Sequence, residues 1–147
     1  MKHNTKRILS VLVCVLLAAA LAMGTLGCTA AEPSAEPTAA VMENGATLGT
    51  GATAFTFTVV DPDGKETTVT VKTDKTTVGD ALTELGLISG TEGDYGLMVD
   101  TINGITLDYN TDGMYWAFYI DGEYAMTGVD STDVAAGSVY TFKAEKG

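Results

Sequence analysis

Apolar and polar positions alternate in several short runs along the second two thirds of the chain. Phe55, Phe57 and Val59 alternate with Thr56 and Thr58, and Val69 and Val71 alternate within Thr67 to Lys72. Period-two alternation predicts half-buried strands. Asp61-Pro62-Asp63-Gly64 between the two runs is turn chemistry, so they should form a hairpin. The period then changes. Val78, Ala81, Leu82 and Leu85 fall at helical spacing, with Thr77 placed to cap the helix, Asp80 in its first turn, and Gly86 and Gly90 to stop it. After a glycine-rich loop (Gly93, Gly96), Leu97 to Ile102 reads as a strand. Asn103-Gly104 then predicts a tight turn into Ile105–Leu107. Met114 to Ile120 is the most regular strand pattern. It closes on Asp121-Gly122, with a short partner around Tyr124–Met126, and Ser138 to Ala144 is the last strand. The order predicts an α+β domain: a β-grasp-like mixed sheet packed on one helix.

The N-terminal third follows another logic. Lys2, Lys6 and Arg7 precede an apolar run from Ile8 to Met23, broken only by Ser10, the pattern of a secretory signal. The run is shorter than the roughly 20 residues a spanning helix needs. It ends in Gly24-Thr25-Leu26-Gly27-Cys28, which resembles the lipobox of bacterial lipoproteins, although that family prefers Leu where Thr25 stands and Ala or Ser where Leu26 stands. The resemblance implies cleavage after Gly27 and lipidation of Cys28; an ordinary signal peptide cut nearby would instead leave a free thiol. From Thr29 to about Ala52 the chain is rich in Ala, Pro, Glu, Thr and Gly and has no aromatic residue, which predicts a disordered tether. The expected organisation is a signal peptide over 1–27, a tether over 28–53 and a domain over 54–147, where all 11 aromatic residues lie.

Charge and composition exclude several functions. The net charge is −11, and after removal of residues 1–27 five Lys remain against all 19 acids, a formal −14. Nucleic acid is not an expected partner, because phosphates need clustered cations. The membrane is expected to be met through the lipid anchor alone. The only His is His3, and Cys14 and Cys28 are the only Cys, so the processed chain has no imidazole base, no free thiol and no internal disulfide. Ser89, Ser131 and Ser138 are the domain's only serines, and none lies in a Gly-x-Ser-x-Gly elbow. The domain is therefore expected to be non-catalytic, with a carboxylate pair the one hydrolytic arrangement the composition permits. Asp108-Tyr109-Asn110-Thr111-Asp112-Gly113 matches the first half of a calcium loop. The twelfth position is Tyr119, inside a strand pattern, so the segment reads as a polar turn and no metal is expected.

Alternation gives the strand at Met114 to Ile120 two faces: Met114, Trp116, Phe118 and Ile120 on the core side, and Tyr115, Ala117 and Tyr119 on the other. Tyr95, Tyr109 and Tyr124 come from nearby loops. Tyrosines on an exposed sheet face can bind a flat or polar organic ligand, or equally a protein. A small-ligand site is expected on the Tyr115/Tyr119 face with the adjoining Tyr95 loop, not on the buried Trp116 side. The candidate residues are Tyr95, Gly96, Tyr115, Tyr119 and Tyr124, with Trp116 the candidate if the two faces are reversed.

Several phrases together resemble the family of extracytoplasmic domains similar to the C-terminal domain of transcobalamin and intrinsic factor. These are Thr77-Val78-Gly79-Asp80-Ala81-Leu82, Tyr95-Gly96, Ile102-Asn103-Gly104, Tyr115 through Gly122, Gly128-Val129 and Gly137 through Phe142, although Ser138 stands where the family usually has Asp. The resemblance implies a β-grasp-like module that binds a soluble ligand, with corrinoids as the family's ligand class and no cofactor required. It implies display on the outer face of the membrane of a Gram-positive bacterium, and a membrane transporter or second surface protein as partner. The competing expectation is a structural or adhesive surface module that binds protein or glycan.

Overall fold

The structure, a computed structural model, describes residues 42–147. The expected signal peptide, Cys28 and most of the expected tether lie outside the described residues. The strands are β1 (Thr47–Leu48), β2 (Thr53–Val60), β3 (Glu66–Thr73), β4 (Ile88–Gly93), β5 (Gly96–Ile102), β6 (Ile105–Thr106), β7 (Met114–Ile120), β8 (Glu123–Tyr124) and β9 (Val139–Lys146). The helices are α1 (Val78–Glu84) and the single turn α2 (Tyr109–Asp112), with a 3-10 turn over Val129–Ser131. The strands form a six-stranded sheet in the order β1-β3-β2-β9-β7-β8 and a three-stranded sheet in the order β4-β5-β6.

The expected hairpin forms β2 and β3, with Phe55 opposite Val71 and Phe57 opposite Val69. β9 lies between the halves of the larger sheet, parallel to β2 and antiparallel to β7. The sheet is therefore mixed, as expected. α1 starts where Thr77 Oγ1 accepts the Asp80 N–H at 3.2 Å, and its stripe of Val78, Ala81 and Leu82 is buried in one core with Phe55, Phe57, Val69 and Val71. Asn103-Gly104 and Asp121-Gly122 make two-residue turns with both residues at positive φ, the geometry that matches strand twist. Asp121 accepts Val139 N–H at 2.7 Å and the Ser138 hydroxyl at 3.2 Å, which ties that turn to the start of β9.

Two expectations are corrected. The packed region begins by Met42, not at residue 54. Met42 is buried, Gly45 N–H donates to Thr68 O, Thr68 N–H donates to Asn44 Oδ1, and β1 adds a parallel strand to β3. Backbone pairing and one apolar anchor order this segment despite its lack of aromatic residues. The glycine-rich stretch after α1 is also not a loop: it is β4, the edge of the smaller sheet. Only Ile88 of β4 is buried, so no alternation marks it. Gly90 is required there, since a side chain would meet the Met98 backbone.

Candidate functional site

β7 builds two surfaces, one on each side. On the core side, Trp116 and Phe118 are 7% and 9% exposed, whereas Phe55, Phe57, Tyr140 and Phe142 are all at 2% or less. The core is thus least closed at β7. A cleft of about 250 Å³ opens there between the two sheets. Its walls are Leu97 and Val99 of β5, Trp116 and Phe118 of β7, Phe142 of β9, and Val129 with its neighbours Thr127 and Gly128. Phe118 stacks on Phe142 at 4.8 Å between ring centres. Trp116 Nε1–H donates to Asp100 O at 3.1 Å, a direct link from one sheet to the other. At the rim, Met98 is 71% exposed. Such a lining favours a ligand with a flat or apolar part.

The other face carries the tyrosines. Tyr119 and Tyr124 face each other across β7 and β8 with rings edge-on at 5.5 Å. The Tyr119 hydroxyl donates to Glu145 Oε1 at 2.8 Å, and Lys143 Nζ lies 3.0 Å from the same carboxylate oxygen. The hydrogen bond to Glu145 and partial burial push the Tyr119 hydroxyl above its ordinary range. Partial burial, then the charges and hydrogen bonds of Tyr124 and Glu145, do the same for Tyr115. The Tyr119 and Lys143 contacts hold the Glu145 carboxyl below its usual range against the opposing effect of burial.

The structure separates the candidate residues. Tyr115, Tyr119 and Tyr124 come together on the open face, where Tyr115 also borders the cleft. Trp116 lies on the opposite side of the strand, in the cleft wall. Tyr95 and Gly96 belong to the smaller sheet, and Tyr95 is 98% exposed at the β4–β5 tip. Gly96, at φ +100, leaves room for Asp130, whose Oδ2 accepts Leu97 N–H at 3.3 Å. Leu97, Val99, Val129 and Phe142 were not singled out from the sequence. The signal for Leu97, Val99 and Phe142 as wall residues is the inward phase of their strands, which any core residue shares. Val129 sits in the 3-10 turn, where only the phrase Gly128-Val129 marked it.

The Asp108–Gly113 segment is a capped turn. Asp108 Oδ1 accepts Asn110 N–H at 2.8 Å, Asp112 Oδ2 accepts Asp108 N–H at 3.1 Å, and Gly113 ends the turn at φ +65. Among the described residues no group of three His, Cys, Asp or Glu side chains is placed to hold a metal.

Residues 75–146 match the model of a family described as a domain of unknown function, DUF4430. No curated protein matches the chain. Seventeen chains of solved structures do. One is a protein from Ruminococcus gnavus ATCC 29149 for which metal binding has been suggested. It is 28% identical, the match covers 65% of this chain and 99% of that one, and the TM-score is 0.62. Another is haptocorrin in complex with Cbi, at 21% identity and a TM-score of 0.49, covering 67% of this chain but only 26% of haptocorrin. The chain shares the fold of the R. gnavus protein over essentially that protein's whole length.

Proposed function

We propose that this chain is a non-catalytic binding module of transcobalamin-like, β-grasp type, displayed on the outer face of the cell membrane through a lipid on Cys28. The observation that carries the ligand-binding reading is the cleft between β5 and β7, where the core leaves Trp116 and Phe118 at an open apolar wall. A folded domain gains by closing such a wall, so a lasting opening favours an occupant. The resemblance read from the sequence makes a corrinoid the first ligand class to try. A cleft of about 250 Å³ is far smaller than a corrin macrocycle. This domain would therefore grip an edge or substituent of such a ligand, and a second surface protein or transporter would cover the rest.

Trp116 is the chain's only tryptophan and reports on the cleft directly. The test is titration of the full chain with cobinamide, cobalamin and haem, followed by melting temperature and by Trp116 emission corrected for absorption. A true ligand raises the melt by mass action and changes that emission. A raised melt with unchanged emission, together with loss of the effect in Tyr119→Ala, would move the site to the tyrosine face. For the anchor, Cys28→Ala should release the protein to the medium, since two acyl chains at about 0.8 kcal/mol per buried CH₂ hold firmly. Retention of that variant at the membrane would sink the lipoprotein reading.

A further inference from the structure

A second groove adjoins the Trp116 cleft along Met98, Val99 and Tyr115, and its chemistry differs. It measures about 310 Å³. Met98, Leu107 and Met114 supply an apolar floor, and Asp100 and Asp108 stand along it. Both carboxylates accept local hydrogen bonds, Asp100 from Thr101 and Asp108 from Asn110. Neither is neutralised: the two ion pairs among the described residues, Lys75–Glu84 and Lys143–Glu145, lie elsewhere. The register brings one cation near, Lys146 opposite Met114, and it neither lines the groove nor pairs with these carboxylates.

The setting of the groove reinforces its sign. From residue 76 to residue 142 the sequence contains 11 acids and no Lys, Arg or His. Within that same segment five large, largely apolar side chains are more than half exposed: Tyr95 (98%), Met126 (92%), Met98 (71%), Tyr109 (59%) and Tyr124 (55%). Met98 and Tyr109 both border the groove. Exposed methionine and tyrosine among unpaired acids complement a cation carried on an apolar stem. Lys and Arg side chains have that build. Met98, Val99 and Tyr115 also line the Trp116 cleft, so the apolar surface continues beyond the groove, farther than a small cation would cover.

We propose that this groove and its rim dock a lysine- or arginine-bearing segment of a partner protein. One cationic side chain lays its stem on Met98, Leu107 and Met114 and its head between Asp100 and Asp108. This surface adjoins the ligand cleft, sharing Met98, Val99 and Tyr115 with it, and its test at Asp100 and Asp108 does not depend on a ligand in that cleft.

The test uses the full chain with a short fluorescein-labelled peptide of alternating lysine and leucine, its glutamate-for-lysine counterpart, and spermidine. The lysine peptide should bind, and its affinity should fall about tenfold on going from low salt to about 0.5 M, where charges are screened. Asp100→Asn with Asp108→Asn should weaken binding about tenfold. Asparagine remains a good cap at position 108, and an unchanged melting curve checks the fold. Asp63→Asn with Glu66→Gln makes the same change of charge on the β2–β3 hairpin, at exposed positions, and should leave binding unaltered. Lys146→Gln should tighten it. Equal binding of the glutamate peptide, or indifference to the Asp100/Asp108 change, would overturn the proposal. Displacement of the peptide by equimolar spermidine would also overturn it, by giving the groove to a small polyamine.

Discussion

Replacing Trp116 tests whether the cleft wall is also a structural wall. With only 7% of its surface exposed, Trp116 buries nearly all of an indole. At about 150–250 Å² and about 25 cal/mol per Å², that is roughly 4–6 kcal/mol of transfer free energy, of which an alanine retains a part. Water can enter from the adjacent cleft, so the vacated space is not a sealed void and the full cavity penalty is not added. Trp116→Ala should therefore cost about 3–4 kcal/mol. For a domain of this size that lowers the melt by roughly 12–20 °C. Trp116→Phe keeps most of the ring and loses the Nε1–H bond to Asp100 O. That carbonyl keeps the Leu107 N–H at 2.9 Å, so no buried acceptor is orphaned. The milder change should cost about 1.5–2.5 kcal/mol. The assay is thermal melting by far-UV circular dichroism, which does not depend on the lost fluorophore. A Trp116→Ala melt within about 2 °C of wild type would refute the reasoning, because the indole would then be neither core nor bridge between the sheets.

Gly96→Ala should destabilise by about 1–3 kcal/mol: φ is +100 and the new methyl would meet the Asp130 carboxylate, so an unchanged melt would show that the β4–β5 tip is not held there. Calorimetry with calcium should give no micromolar one-to-one site; one abolished by Asp108→Ala would overturn the capped-turn reading. At high pH, Tyr115 and Tyr119 keep their protons in the fold above their ordinary range, so the stability they contribute is present below about pH 10 and is lost as pH rises beyond it. Glu145 has the opposite sign, with its contribution lost as pH falls through and below the usual carboxylate range. Melts from pH 9 to pH 12 should decline less steeply in Tyr119→Phe than in wild type, and equal slopes would disprove the Tyr119–Glu145 coupling.

The elements legible in the sequence are those whose burial is one-sided and local. β2 and β3 show period two because one face of each meets the core, and α1 shows period 3.6 for the same reason. The two Asx-Gly turns are legible from backbone chemistry alone. β4 is not, because both of its faces are wet beyond Ile88, and β1 is not, because two residues and a backbone ladder leave no periodic trace. The division of β7 into an aromatic core face and a tyrosine face follows from alternation and is what the structure shows. The cleft does not follow, since it arises where Leu97 and Val99 of one sheet meet Phe118 and Phe142 of the other. For the same reason Tyr95 could be grouped with Tyr119 on paper, although the fold sets it on the other sheet.

The position of β9 bears on how the domain is made. β9 is the last of the described elements in chain order, yet it lies between β2 and β7 and supplies Tyr140 and Phe142 to the core. Until residues 139–146 have emerged, the β1-β3-β2 half and the β7-β8 half have no strand in common, and each presents an unpaired edge. Such edges are templates for association with other chains. The pairings of β9 with β2 span about 80 residues of sequence and close slowly. The domain is thus vulnerable until β9 is in place. Deleting β9 would cut the sheet in two rather than shorten it.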